Sequence, residues 1–179
     1  LKDGKIISAS KIIVCLGIWS KRVLKTINHK VNIEAERGFH IVLKKVNFLP
    51  RNPLMIINKK IAITPMKDTL RFAGIVDFSG VYAPANKSRY DYIRSLIKNI
   101  IPSLSWKEED LWMGQRPSTS DSLPVLGRSQ SLENVYFAFG GQHVGLTIGP
   151  KLGKLVSDLI LNKKININLE PYLQSRFNS

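Results

Sequence analysis

The sequence predicts an α/β protein into which an antiparallel α+β domain is inserted. Two largely apolar runs, residues 11–16 and 134–139, lie far apart in the chain, and a glycine follows each of them. Such runs are typical of strands in a parallel sheet. Between them, residues 39–76 contain short alternating runs separated by turn-forming residues, which is typical of an antiparallel meander. The two apolar runs therefore predict one α/β layer, and the meander predicts a second architecture.

The middle region predicts four short strands followed by a helix. The strands are expected at residues 39–43, 54–58, 60–64 and 69–76. Isoleucine and leucine then recur at helical spacing over residues 88–101, and Pro102 stops this helix. Ser88 and Asp91 predict a capping box at its start.

A second amphipathic helix is predicted over residues 147–161, directly after the second apolar run. Thr147 is expected to cap this helix. Pro150 is expected in its first turn, where a missing N–H has no cost.

Charge and composition narrow the classes of partner. The chain of 179 residues has a net charge of +14, but its basic residues are scattered singly or in pairs. No nucleic-acid-binding motif accompanies them, so we expect no nucleic-acid partner. No cluster of histidine, cysteine or carboxylate has ligand spacing, so no metal site is predicted. The single cysteine, Cys15, is expected to be buried within the first apolar run.

The hydropathy pattern bears on location. No apolar run approaches the roughly 18 residues that a membrane-spanning helix needs, and the first residues lack the apolar core of a signal peptide. We therefore predict a cytoplasmic location, and the alternative is peripheral attachment at the inner face of the membrane.

Three features suggest chemistry. Gly140-Gly141 followed by a helix start would gather backbone N–H groups at one point, which suits an anion or an electron-rich ring edge, although such turns are also common elsewhere. Arg116 precedes Pro117 in an extended segment, where its guanidinium suits either a substrate carboxylate or a salt bridge. His143 suits a ring contact, a base or a hydrogen-bonded core position.

One family matches these motifs. The most specific motif is Gly-Gln-Arg-Pro-Ser-Thr-Ser-Asp-Ser-Leu-Pro-Val-Leu-Gly, at residues 114–127, and it is followed by the strand 134–140 and by His-Val-Gly-Leu-Thr at 143–147. With these motifs the chain resembles the C-terminal part of the FAD-dependent D-amino acid oxidoreductase family, closest to the D-amino acid dehydrogenase branch. Residues 11–20, ending Leu-Gly-Ile-Trp-Ser, resemble the family's strand that returns to the flavin domain, which usually ends Ala-Gly-x-Trp-Ser.

The resemblance implies a partial FAD-binding Rossmann-like domain with an inserted antiparallel-sheet substrate domain. It assigns residues 1–30 to a remnant of the flavin domain and residues 31–111 to the substrate domain with its one long helix. Residues 112–165 return to the flavin domain and carry the C-terminal helix. Residues 166–179 form a tail that we expect to be loosely held.

The resemblance also implies roles for single residues. Arg116 would bind the substrate α-carboxylate, and His143 would also belong to the substrate site. The residues that would contact FAD are Gly17, Trp19, Gly114, Gly140, Gly141, Gln142, His143, Val144, Gly145, Leu146 and Thr147. The reaction would transfer a hydride from Cα to flavin N5, and the imino acid would hydrolyse to a keto acid and ammonia. No catalytic side chain is assigned, because positioning and electrostatics suffice.

The chain departs from the family pattern in two places. Members often have Gly-His-Gly-His-Leu-Gly-Leu-Thr, where this chain has Gly141 and Gln142 in place of the first His and the second Gly. No Gly-x-Gly-x-x-Gly turn, which holds the FAD pyrophosphate, occurs in the sequence. We therefore expect the chain to be the C-terminal part of a longer enzyme.

The expected partners are an amino acid substrate, the missing N-terminal FAD-binding half, and a membrane quinone or another electron-transfer partner. Two alternatives stay open at this point. One is an enzyme similar to glycine or sarcosine oxidase, and the other is a non-catalytic fragment or subunit.

Overall fold

A computed structural model describes residues 4–178 of the chain. Its internal contacts divide it into two compact units. The first unit contains the residues up to Ala35 together with those from Arg116 onward, and the second contains Glu36–Gln115. The predicted domain boundaries near residues 31 and 112 lie a few residues from these divisions.

The first unit is built on a three-stranded sheet. Its elements are β1 (Ile12–Val14), α1 (Ser20–Thr26), β7 (Val125–Arg128), β8 (Val135–Phe139) and α3 (Gly145–Ile160). The strand order is β1-β8-β7, with β1 parallel and β7 antiparallel to β8. The predicted α/β layer is confirmed, because the two apolar runs pair in parallel, with Val14 opposite Phe137. Helix α3 covers this sheet through a core that contains Leu126, Tyr136, Leu155 and Val156.

The first apolar run is less buried than predicted. Val14 is buried, but the side chains of Ile12 and Ile13 are 50% and 42% exposed, and Cys15 is exposed. The expectation of a buried Cys15 is therefore wrong. The physical reason is that β1 lies at the edge of the three-stranded sheet, next to β8 alone.

Helix α3 begins two residues earlier than predicted. It starts at Gly145, directly after a short 3₁₀ turn at Gln142–Val144. Thr147 therefore lies within the helix rather than at its cap, and Pro150 lies in its second turn. The helix thus follows the 3₁₀ turn directly, without a capping side chain.

The second unit is built on the predicted meander. A five-stranded sheet has the order β3-β4-β5-β2-β6. Its strands are β2 (Ile33–Lys44), β3 (Leu54–Ile56), β4 (Ile61–Pro65), β5 (Thr69–Asp77) and β6 (Glu108–Thr119). The pairs β3 with β4, β4 with β5, and β5 with β2 are antiparallel. The sequence did not predict β6, because its acidic start and Pro117 do not resemble a strand.

Helix α2 (Lys87–Ile100) supplies the other half of the core of this unit. Its buried side chains Ile93 and Ile97 pack in one cluster with Phe72 of the sheet. The predicted capping box is wrong, since the side chain of Asn86 caps the helix by accepting the N–H of Ser88 at 3.0 Å. None of the helices within residues 4–178 is both long and apolar enough to cross a bilayer.

Candidate functional site

Arg116 lies on β6, three residues before the end of this strand, and its side chain is partly buried. It belongs to the first unit, as do Gly17 and Trp19. These two residues form a 3₁₀ turn after β1, and a Cβ placed on Gly17 would lie 4.0 Å from Cγ of Pro117. The structure thus brings this turn beside the strand segment that carries Arg116.

The glycine-rich segment of residues 140–147 folds tightly on itself. Gly140 has a φ of +82°, which residues with a side chain rarely adopt, and a Cβ there would lie 3.1 Å from Cγ2 of Thr119. A Cβ on Gly141 would lie 2.8 Å from Cα of Gly145. Gly140 is therefore favoured by its backbone angle, and Gly141 by the close approach of the Gly145 backbone.

Gln142 connects this segment to the strand of Arg116. Its Nε2 donates to Oγ1 of Thr119 at 3.3 Å and approaches the Thr119 carbonyl at 3.4 Å. Thr119 follows Arg116 by three residues, about 10 Å along a strand. Two parts of the predicted site are therefore linked within one unit.

The start of α3 is open to solvent. No side chain among the described residues caps it, and its first turn contains no acidic residue. Leu146 is 96% exposed, and His143 and Thr147 are also exposed. Backbone N–H groups of this first turn carry the positive end of the helix dipole, which suits a negatively charged group.

Gly114 lies elsewhere. It belongs to the second unit, where a Cβ on it would lie 1.9 Å from the ring of Trp112. Its place in the structure is thus explained by packing against Trp112, and its predicted contact with FAD stays a prediction.

Sequence reasoning did not single out Asp121 and Arg176. The Arg176 guanidinium donates to both carboxylate oxygens of Asp121, at 2.6 and 3.2 Å. These hydrogen bonds are the main reason why the pKa of the Asp121 carboxyl lies below its ordinary value. The tail is therefore not loosely held as expected, because Arg176 attaches it to the loop after β6. The two residues lie 55 positions apart, and no local pattern could have paired them.

Comparison with known proteins identifies the class. The model of the DAO family, described as FAD dependent oxidoreductase, matches residues 1–159. The chain belongs to this family of FAD-dependent oxidoreductases, which confirms the resemblance found in the sequence.

Particular relatives extend this result. The D-amino-acid oxidase of Bradyrhizobium diazoefficiens is 30% identical over 175 residues, which cover 96% of this chain and 42% of that protein. The glycine oxidase of Geobacillus kaustophilus has a TM-score of 0.79 at 20% identity, covering 94% of this chain and 46% of that one. The iminodiacetate oxidase of Chelativorans sp. BNC1 has a TM-score of 0.77 at 24% identity, and the match covers 96% of this chain and 47% of that one. The two structures share the fold, and this chain spans less than half the length of these relatives.

The residues present fit an FAD cofactor of this family. The open helix start and the close-folded glycine segment together leave backbone N–H groups available for the polar edge of a flavin. In addition, the hydroxyl of Ser20 is fully buried and has no hydrogen-bond partner within residues 4–178. A buried polar group without a partner is costly, and this hydroxyl directly follows the turn of Gly17 and Trp19.

Proposed function

We propose that this chain forms the C-terminal part of an FAD-dependent oxidoreductase that oxidatively deaminates D-amino acids. The observation that carries the proposal is the uncapped start of α3, which Gln142 connects to the strand of Arg116. The 30% identity to a D-amino-acid oxidase supports D-amino acids as the substrate class.

Arg116 would hold the substrate. Its planar guanidinium can donate two parallel hydrogen bonds to the α-carboxylate, which fixes the orientation of Cα. When bound, FAD supplies an acceptor for the hydride that leaves Cα. The substrate nitrogen loses a proton, and water converts the imino acid to a keto acid and ammonia. His143, exposed beside the helix start, would contact the substrate or the ring.

The positive end of α3 would favour the reduced state of the cofactor. A reduced flavin carries negative charge at its N1 and C2-carbonyl edge, and a helix N-terminus stabilises such charge by about 0.3–1 kcal/mol or more. Neither role requires a side-chain base.

An N-terminal half would hold the FAD pyrophosphate, on the same polypeptide or on a partner subunit. This chain has no Gly-x-Gly-x-x-Gly turn and spans 42% of its Bradyrhizobium relative. The exposed side chains of Trp19 and Leu146 are apolar surfaces that this half or the cofactor could cover. A cytoplasmic or peripheral membrane location and a quinone acceptor belong to the same proposal.

Substitution of Arg116 tests the substrate role. The sample is the flavoprotein made of this chain with the sequence encoded upstream of Leu1, or with the N-terminal half of the Bradyrhizobium relative. We expect Arg116→Leu to raise the KM for D-alanine about 100-fold or more, because hydrogen bonds to charged groups contribute about 1.5–3 kcal/mol each. The KM of Arg116→Lys should lie between those of the unsubstituted protein and Arg116→Leu. Arg128→Leu is the control and should leave the KM unchanged, since Arg128 is an exposed arginine of the same unit.

The bound flavin, measured by its absorbance, should stay nearly unchanged in the Arg116 variants. An unchanged KM would remove the carboxylate role. Failure of the unsubstituted flavoprotein to reduce a dye with D-alanine would instead favour a non-catalytic protein. Faster turnover of glycine or sarcosine would favour the glycine and sarcosine oxidase alternative, and oxygen consumption would separate an oxidase from a dehydrogenase.

A further inference from the structure

We infer that Arg176 is a positioning residue, which fixes the flavin-contacting segment 140–147 through Asp121, Leu123 and Thr119. The role of that segment rests on the proposed function. The positioning itself rests only on contacts within the first unit.

All five N–H donors of Arg176 are matched by acceptors. Nε and one Nη2 donor bind the Asp121 carboxylate, and the second Nη2 donor binds the carbonyl of Leu123 at 2.8 Å. The two Nη1 donors bind the carbonyls of Tyr172 and Leu173 at 2.9 and 3.0 Å. A guanidinium that is fully hydrogen-bonded in a planar fork holds its partners in one geometry.

The loop after β6 is closed by the same contacts. Oδ1 of Asp121 accepts the N–H of Leu123 at 3.1 Å, and the carbonyl of Leu123 accepts the hydroxyl of Thr119 at 2.8 Å. The Leu123 carbonyl thus receives donors from both Arg176 and Thr119. The position of Thr119 is therefore coupled to Arg176 through one shared acceptor.

Thr119 in turn meets the glycine-rich segment. Thr119 is 5% exposed, and its hydroxyl accepts a hydrogen bond from the side chain of Gln142. Its methyl group limits the space at Gly140. Gln142 has a φ of +46°, an unfavourable backbone angle for a residue with a side chain, so its conformation depends on surrounding contacts. Release of Thr119 should therefore loosen the segment 140–147.

Arg176 lies beyond the residues that the family model matches, whereas Asp121 and Gln142 lie within them. The C-terminal turn that carries Arg176 is held independently, since Nε2 of Gln174 donates to the carbonyl of Lys30 at 2.6 Å and Phe177 is buried. The tail of this chain thus supports the site from a position after residue 159, where the match to the family model ends.

Hydrogen exchange of the 179-residue chain tests the positioning without any flavin. In Arg176→Gln we expect amide exchange in residues 140–145 to rise about tenfold or more, since hydrogen bonds to a charged group are lost. Arg176→Lys should recover part of the protection. Arg128→Gln removes an exposed arginine of the same unit, which binds the carbonyl of Glu133, and it should leave this segment unchanged.

Unchanged exchange in residues 140–145, or an equal rise throughout the first unit, would overturn the inference. Because Arg176→Gln could weaken the whole unit, Asp121→Asn provides a second variant. It should raise exchange in the same segment, and the double variant should add little to either single one.

The effect of Arg176 on the bound flavin is measured separately, in the complete flavoprotein. We expect Arg176→Gln to shift the visible flavin spectrum and to lower kcat for D-alanine, with little change in KM. Raised exchange with an unchanged spectrum and kcat would overturn the link to the flavin. Failure of the proposed function would show differently, as an absence of D-alanine oxidation in the unsubstituted protein.

Discussion

Arg37 is fully buried in the second unit, and its charge is compensated locally. Its guanidinium donates to both carboxylate oxygens of Asp77, at 2.6 and 3.1 Å, and to the carbonyl of Ala83 at 2.5 Å. The side chains of the ion pair are 1% and 4% exposed. Removal of Arg37 would leave the buried Asp77 carboxylate with weaker contacts, to Nε of Arg89 at 3.7 Å and the N–H of Ser79 at 3.4 Å, and this loss costs more than the pair itself contributes.

Substitution of Arg37 by methionine should therefore lower the free energy of unfolding by about 3–5 kcal/mol. The matched control is Lys45→Met, because Lys45 pairs with Glu108 at the exposed surface of the same unit. That change should cost less than about 1 kcal/mol. Urea unfolding followed by circular dichroism measures both values, and equal losses would contradict the prediction.

The same pair predicts a dependence of stability on pH. Chiefly by hydrogen bonding, Arg37 holds the pKa of the Asp77 carboxyl below its ordinary value. The folded state therefore binds this proton less readily than the unfolded state does. The contribution of the pair to stability is full above the unfolded pKa of about 3.9, and it is lost as the pH falls through the lower, folded pKa.

We expect Asp77→Asn to flatten the pH dependence of the unfolding free energy below about pH 4. The measurement is a series of urea unfolding curves at decreasing pH for the wild type and the variant. Parallel pH profiles would show that Asp77 does not carry this linkage.

At the scale of elements, a side-chain cap determines where α2 begins. The side chain of Asn86 accepts both the N–H and the hydroxyl of Ser88, at 3.0 and 2.8 Å. The predicted partner of the cap, Asp91, binds Arg94 instead at 2.6 Å. Asparagine and serine are both good capping residues, so residue type alone does not distinguish Asn86 from Ser88, and the prediction from sequence placed the cap two residues too late.

Replacement of Asn86 by alanine should destabilise the chain by about 0.5–2 kcal/mol through loss of the cap. Asn86→Asp retains the acceptor and should restore most of this loss. Ser88→Ala keeps the capped N–H and should have a clearly smaller effect. Thermal unfolding of the three variants separates the observed cap from the predicted one, and a larger effect at Ser88 would favour the predicted one.

At the scale of the whole molecule, the chain has the fold of one part of its relatives, and its sequence lacks the pyrophosphate-binding motif. The sequence contains the motifs of residues 114–147 but no Gly-x-Gly-x-x-Gly turn. Backbone N–H groups and the helix dipole at such a turn supply much of the binding of a dinucleotide phosphate. Under the proposed function, the residues present would contact the ring end of FAD rather than its phosphates.

The 179-residue chain alone should accordingly bind FAD weakly. After incubation with FAD and gel filtration, we expect little absorbance near 450 nm to elute with the protein. Addition of an N-terminal half that carries the glycine-rich turn should restore it. Retention of flavin by the chain alone would contradict this prediction.

The sequence by itself determined the existence and type of most elements and the family. Helical spacing located α2 and α3, alternation located β3, β4 and β5, and the apolar runs located the parallel pair β1 and β8. These signals are local, because each arises from the period with which an element presents side chains to a core. The motif around Arg116 is local too, and it was sufficient for the family.

Only the tertiary structure decided which distant groups meet. Arg176 binds Asp121 across 55 positions, and Nε2 of His29 forms a hydrogen bond with the hydroxyl of Ser129 across 100 positions. The exposure of Cys15 likewise depends on the edge position of β1. Such contacts leave no periodic trace in the chain, since hydrogen bonds between side chains depend on the three-dimensional course of the backbone rather than on spacing.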